Sequence, residues 1–182
     1  MKKLTVIIIL TILVFSVAAQ KKEFKKISFG AELDILPYAT GGYFAAAWAG
    51  KNNWRVRVLN AGVNMPDLVT ASGFTNRHVN SVAIVADRFF KQNWKGWWLG
   101  GGLVYWKSSV QTTAHLQTAH FSNVLLNGSA GYNITLYKHL YLSPWAGLSI
   151  RTAGDKNVAV DSKTYTLPLV NPEASLKIGC WF

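Results

Sequence analysis

The last nine residues, Ala174-Ser175-Leu176-Lys177-Ile178-Gly179-Cys180-Trp181-Phe182, alternate in polarity. Ala174, Leu176, Ile178, Cys180 and Phe182 fall on one face, while Glu173, Ser175, Lys177, Gly179 and Trp181 fall on the other. A repeat of two is the side-chain period of a β-strand. A strand with one apolar face belongs to a sheet with an apolar and a polar side. That sheet is either half of a water-soluble sandwich, apolar face inward, or the wall of a lipid-facing barrel, apolar face outward; alternation alone does not separate the two.

The same rhythm recurs upstream and predicts eight strands, at 27–36, 41–50, 53–62, 78–90, 96–107, 120–135, 139–151 and 172–182. Strand one sets Ile27, Phe29, Ala31, Leu33 and Ile35 against Ser28, Gly30, Glu32 and Asp34. Strand six sets Val124, Leu126, Ala130, Tyr132 and Ile134 against Asn123, Asn127, Ser129, Gly131 and Asn133. Strand seven sets Leu140, Leu142, Ala146, Leu148 and Ile150 against Tyr141, Ser143, Trp145, Gly147, Ser149 and Arg151. Strands two and five are apolar on both faces around Phe44–Trp48 and Trp97–Val104, which leaves their registers open. The connections break the tie between sandwich and barrel. Lys51 to Asn53, Lys91 to Lys95 and Tyr137-Lys138 are tight, whereas 63–77, 108–119 and 152–171 are long, with only Pro37 to Thr40 short on that side. Short periplasmic turns alternating with longer extracellular loops are the pattern of a transmembrane barrel, with both chain ends in the periplasm.

The amino-terminal residues fit that destination. Met1-Lys2-Lys3 is a short positive start, Leu4 to Phe15 is apolar apart from Thr5 and Thr11, and Ser16-Val17-Ala18-Ala19 supplies small residues before Gln20. That order is a secretory signal peptide, 1–19, cleaved to leave Gln20 first. A retained anchor is the alternative, but the apolar run is shorter than the ~20 residues of a spanning helix. No cysteine follows the small residues, so a lipid-modified terminus is not indicated. Residues 20–26 form a short periplasmic leader, and 27–182 form the barrel. Removing Lys2 and Lys3 from the 19 basic residues leaves 17 against 8 acidic, a balance of +9. An exported chain rarely meets nucleic acid, so none is expected as a partner; the phosphates of lipopolysaccharide fit the charge better. Half the residues are apolar, among them 8 tryptophans and 7 tyrosines, yet no stretch of the mature chain is long enough for a membrane helix. Aromatics with Gly, Asn and Thr favour strands.

With its alternating last strand ending in phenylalanine, Leu176-Lys177-Ile178-Gly179-Cys180-Trp181-Phe182, the chain resembles small outer-membrane barrels of the OmpA/OmpX type. The resemblance implies an all-β, eight-stranded antiparallel transmembrane barrel in the bacterial outer membrane. It implies Phe182 as the signal read by the barrel-assembly machinery, and outer-membrane lipid as surroundings. The abundance of glycine and aromatic residues resembles Bacteroidota members of that group. In lipid every backbone N–H and C=O must pair within the protein, which a closed barrel achieves. Trp48, Trp54, Trp94, Trp97, Trp106 and Tyr137 lie near predicted strand ends, where amphipathic rings favour the headgroup zone.

The predicted polar faces carry Glu32 and Asp34 on strand one, Arg55 and Arg57 on strand three, and Glu173 and Lys177 on strand eight. An eight-stranded barrel has an interior just wide enough for side chains, so these charges are expected to interlock as salt bridges. A narrow gated ion path is the alternative there, and a small solute or ion pore is a third class of function. The long loops read either as a recognition surface for an unknown extracellular ligand or as a shield over the mouth. Val158-Ala159-Val160, Asp161-Ser162-Lys163 and Tyr165-Thr166-Leu167 read as strand, turn, strand, raising the barrel wall as a hairpin.

His120-Phe121-Ser122-Asn123 resembles the His-x-Ser-Asn element of lipid A deacylases of the PagL kind, which implies His120 as base and Ser122 as nucleophile. The parity of strand six puts both on the lipid side. Such a pair needs a carboxylate to orient the imidazole, and Asp155 is the first acid after it. The alternative is a polar pair closing a loop. His78, His115 and His139 lack metal-ligand spacing, and Cys180 is alone. Gly100-Gly101-Gly102 precedes no helix and is no phosphate loop; it thins a wall for a bulky neighbour such as Trp145, or allows curvature. No metal or cofactor is expected.

Overall fold

The computed structural model describes residues 27–114 and 117–182. The expected signal peptide, the leader and His115 lie outside the described residues. Eight strands close into an antiparallel barrel: β1 (Ser28–Asp34), β2 (Tyr43–Lys51), β3 (Trp54–Asn64), β4 (Phe74–Phe89), β5 (Gly96–Thr112), β6 (Thr118–Tyr137), β7 (Leu140–Gly154) and β10 (Val170–Trp181). Each pairs with its sequence neighbour, and β10 closes the ring on β1 from Gly30↔Trp181 to Asp34↔Lys177. Closure leaves the wall without an edge strand, so its ladder is continuous. The barrel expected from the alternation and connections is the one observed.

The outside is apolar and the inside is not. Val58, Ile84, Leu103, Leu126 and Leu148 point outward and are each more than half exposed, while Glu32, Arg55, Arg57 and Asp87 point inward and are fully buried. This inversion separates a lipid-facing barrel from a sandwich. It also settles the registers that the sequence left open. In β2, Phe44, Ala46 and Trp48 face in; in β5, Trp98, Val104 and Val110 face in while Trp97, Leu99 and Leu103 face out.

Three differences from the sequence reading have physical causes. Ile35 and Leu36 do not extend β1; they open a short helix, α1 (Ile35–Ala39), because the Asp34 carboxylate accepts from Leu36 N at 3.3 Å and caps it. The 157–166 segment does not raise the wall. It forms a separate two-stranded sheet of β8 (Asn157–Val160) and β9 (Lys163–Thr166), whose Val160 and Tyr165, with Leu167, pack on inward-facing Phe74, Val110 and Phe121. Burial of that apolar surface pulls the hairpin inward across the end opposite the termini. The wall there is instead raised by the strands themselves, since β4, β5 and β6 run on beyond their predicted ends.

The third difference concerns the aromatics. Trp54, Trp97 and Tyr137 are exposed on the outer face, but Trp48 and Trp94 are buried in a cluster with Phe89 and Trp98, and Trp106 faces in. Inward aromatic rings fit because an inward glycine stands directly across the ladder: Gly30 opposite Trp48, Gly131 opposite Trp98, and Gly179 opposite Tyr141. A methyl on Gly131 would lie 2.4 Å from Trp98 Cζ2 and 2.8 Å from the Pro144 carbonyl oxygen, whereas one on outward Gly128 meets nothing within 4 Å. Overpacking a filled interior costs ~1–3 kcal/mol. Gly131→Ala is therefore expected to lose that much in urea titration of the refolded protein, and Gly128→Ala to stay within ~0.5 kcal/mol. Equal effects would mean the glycine seats are not close-packed.

Candidate functional site

Two adjacent residues of one face of β3, Arg55 and Arg57, meet β1 on one side of the lumen and β4 on the other. Arg55 Nη1 donates to Glu32 Oε1 at 2.6 Å and its Nε to Asp87 Oδ2 at 2.8 Å. Arg57 Nη1 donates to Glu32 Oε2 at 3.2 Å, its Nε to Asp87 Oδ2 at 2.6 Å and its Nη2 to Asp87 Oδ1 at 2.9 Å. The four side chains form a closed ring in which each carboxylate bridges both guanidinium groups, all at 2% exposure or less. Tyr141 joins from β7: its hydroxyl donates to Glu32 Oε1 at 2.6 Å and accepts from Trp48 Nε1 and Arg55 Nη1 at 3.2 Å each.

Aromatic faces line the ring on the side of the termini. The Arg55 guanidinium lies 5.3 Å from the Trp48 ring centroid, 5.0 Å from Phe89 and 5.8 Å from Trp98. Its Nη2 has no hydrogen-bond partner among the described residues and is left to these faces. Arg57 stands 5.1 Å from Trp98. A cation held over desolvated rings gains ~2 kcal/mol or more from their quadrupoles, which offsets part of the lost hydration.

Sequence reading grouped six residues as one salt-bridged set. The structure brings Glu32, Arg55 and Arg57 together and leaves the other three out of the ion pairs. Asp34 accepts from Trp145 Nε1 at 2.8 Å and from Ser175 Oγ, and Glu173 accepts from Ser149 Oγ. Lys177 sits across the ladder from Asp34, yet its ammonium lies over the rings of Trp145, at 4.0 Å, and Trp98, at 5.4 Å. Neutral donors and indole faces are thus the direct partners of these groups, while the charges themselves stand within one lumen. Asp87 and Tyr141 are the members that sequence reading missed. Asp87 follows Val85-Ala86 and precedes Arg88, where both faces of β4 are apolar or charged, so parity alone did not say which charge turns in. The glycine run held a signal: a methyl on Gly100 would lie 2.4 Å from Asp87 Oδ1, so Gly100 opens the seat for that carboxylate.

The hydrolase pair is placed on the outer face, but no triad forms. His120 is exposed, across from Ser109, and Ser122 stands across from Lys107. Asp155 does reach Ser122, but it binds the backbone: its Oδ2 accepts from Ser122 N at 2.8 Å and its own N donates to Ser122 O at 3.1 Å. Among the described residues no carboxylate orients the His120 ring and no hydrogen bond joins His120 to the Ser122 hydroxyl. Asp155 acts as a clasp closing the β6–β7 end. Among the described residues no group of three His, Cys, Asp or Glu is placed to hold a metal ion.

A closed eight-stranded wall, apolar outside and ionic inside, is the architecture of the small outer-membrane β-barrel. The chain is similar in fold to the N-terminal β-barrel domain of Pseudomonas aeruginosa OprF, with a TM-score of 0.58 at 11% identity over 88% of this chain and 100% of that one. It is also similar to Neisserial surface protein A, with a TM-score of 0.51 at 12% identity over 88% of this chain and 100% of that one. No family model and no curated protein matches the sequence.

Removing one member of a buried ion-pair set strands the others and typically costs ~3–5 kcal/mol. Asp87→Ala is expected to lose about that much in urea titration of the vesicle-refolded protein, against ~0.5 kcal/mol or less for exposed Lys107→Ala. Near-wild-type stability of Asp87→Ala would place Arg55 and Arg57 in water.

Proposed function

We propose that the chain is an integral outer-membrane protein with an occluded lumen and a structural or surface-recognition role. The observation that carries this reading is the inverted distribution of polarity around a closed wall. An apolar surface of this extent is far larger than water-soluble proteins leave uncovered, and a lipid bilayer is the solvent that matches it. Both termini then lie in the periplasm, and the β8–β9 hairpin faces the outside. Phe182, outward at the end of the last ladder, is the feature that the barrel-assembly machinery would read. Outer-membrane phospholipid and lipopolysaccharide are the surroundings.

Occlusion has support at three depths. The Trp48–Phe89–Trp94–Trp98 cluster lies nearest the termini, the ion-pair ring comes next, and the hairpin packs across the far mouth. A water-filled ion path would have to hydrate the four ring charges, all of which are already paired. The role is therefore carried by outer surfaces and loops rather than by transport through the centre. Planar-bilayer recording of the refolded protein tests this. Insertion without discrete conductance steps is expected; stable ohmic steps in the wild type would favour the pore reading instead.

A further inference from the structure

The two rims of the barrel differ in charge. At the rim where Ile27 and Phe182 lie, Lys51, Lys91, Lys95 and Lys138 are exposed in or beside the tight turns, and Arg88 lies on the outer face of β4 just within them. Among the described residues no acidic side chain lies at this rim. Glu32, Asp34, Asp87 and Glu173 face the interior, and Asp67, Asp155 and Asp161 belong to the loops of the opposite rim, where they mix with Lys156 and Lys163. Among the described side chains, segregation of this kind gives this rim an excess of positive charge.

The cations of that rim are arranged with the aromatic rings. The Arg88 guanidinium lies 5.4 Å from the Trp54 ring centroid, and Lys138 Nζ lies 5.1 Å from that of Tyr137. Trp97 and Tyr132, outward neighbours on β5 and β6, meet edge to face at 5.2 Å. Indole and phenol rings settle at the boundary between acyl chain and headgroup. A cation seated on such a ring is therefore held at the depth of the lipid phosphate.

We propose that the terminal rim is a binding surface for anionic glycerophospholipids, whose phosphodiester oxygens are received by Arg88 and Lys138 on their rings and by Lys91 and Lys95 beside them. The inference rests on the integral-membrane reading. It assigns that rim to the phospholipid leaflet of the membrane, and it selects negatively charged over zwitterionic headgroups.

The test is native mass spectrometry of the refolded chain released from micelles containing equal phosphatidylglycerol and phosphatidylcholine. Each basic residue near a charged surface favours binding about fivefold. Phosphatidylglycerol adducts are therefore expected to exceed phosphatidylcholine adducts by about fivefold or more, falling toward equality when salt shortens the screening length. Lys91→Gln/Lys95→Gln/Lys138→Gln with Arg88→Gln should abolish the preference, whereas Lys107→Gln/Lys156→Gln/Lys163→Gln on the other rim should keep it. Heat-modifiable gel mobility verifies that each variant is folded; should the first set not fold, Lys91→Gln/Lys95→Gln, confined to one exposed turn, is the comparison and should at least halve the preference. Equal binding of both lipids, a preference indifferent to the rim variants, or displacement of phosphatidylglycerol by lipid A would overturn the proposal. A carbonate wash separates the two readings. Protein extracted from vesicles by the wash refutes the membrane reading itself, while protein that stays embedded without lipid preference refutes only this one.

Discussion

Glu32, Arg55, Asp87 and Arg57 neutralise one another inside a space with no room for a hydration shell, and most of the molecule is arranged around that constraint. Four isolated charges in such a place would each cost several kcal/mol. Bridging each carboxylate between both arginines removes the net charge, and Tyr141 adds a third hydrogen bond to Glu32. The arrangement needs four strands in one relative register, because β1, β3, β4 and β7 each contribute a member. A slip of one residue in any of them would turn its polar member toward lipid. The ring therefore specifies the barrel as much as it stabilises it.

Bulky aromatics flank the ring, and their accommodation explains the glycines. Trp48, Trp98 and Tyr141 each lie over a glycine on the adjacent strand, and Gly100 gives way to the Asp87 carboxylate. A large side chain beside an absent one keeps the wall thin where the interior is crowded. The opposite half of the lumen is filled differently. There Phe74, Val110 and Phe121 of the tall strands β4, β5 and β6 form an apolar seat, and the β8–β9 hairpin folds onto it. The hairpin turn at Asp161, whose carboxylate accepts from Thr112, ties this cover to β5.

Fold class was legible because a sheet whose two faces meet different solvents writes that difference into alternate residues, as the β1, β6, β7 and β10 segments do. It failed in β2 and β5 for the converse reason. Their inward positions hold Phe44, Trp48 and Trp98, so both faces read as apolar and the pattern vanishes. The same ambiguity hid Asp87 and misplaced Trp48, Trp94 and Trp106 in an outer belt. Nearness to a strand end says how deep a ring lies, but only its parity against a neighbouring strand says which side it takes. In the candidate site, Arg55 and Arg57 were readable from their spacing of two, while the distinction between ion-paired Glu32 and neutral-bonded Asp34 depends on which side chains stand opposite. That is information held by the register alone.

The central claim is that the apolar face of this wall meets lipid and the polar face meets packed protein. Spin labels placed singly along β6, in a Cys180→Ser background reconstituted in vesicles, measure it directly. Labels at Leu126, Ala130 and Ile134 should be reached by oxygen dissolved in the bilayer and shielded from a water-soluble relaxation agent. Labels at Asn127, Ser129 and Asn133 should be shielded from both. Water-soluble agent reaching the first set, or no alternation between the two sets, would contradict the account.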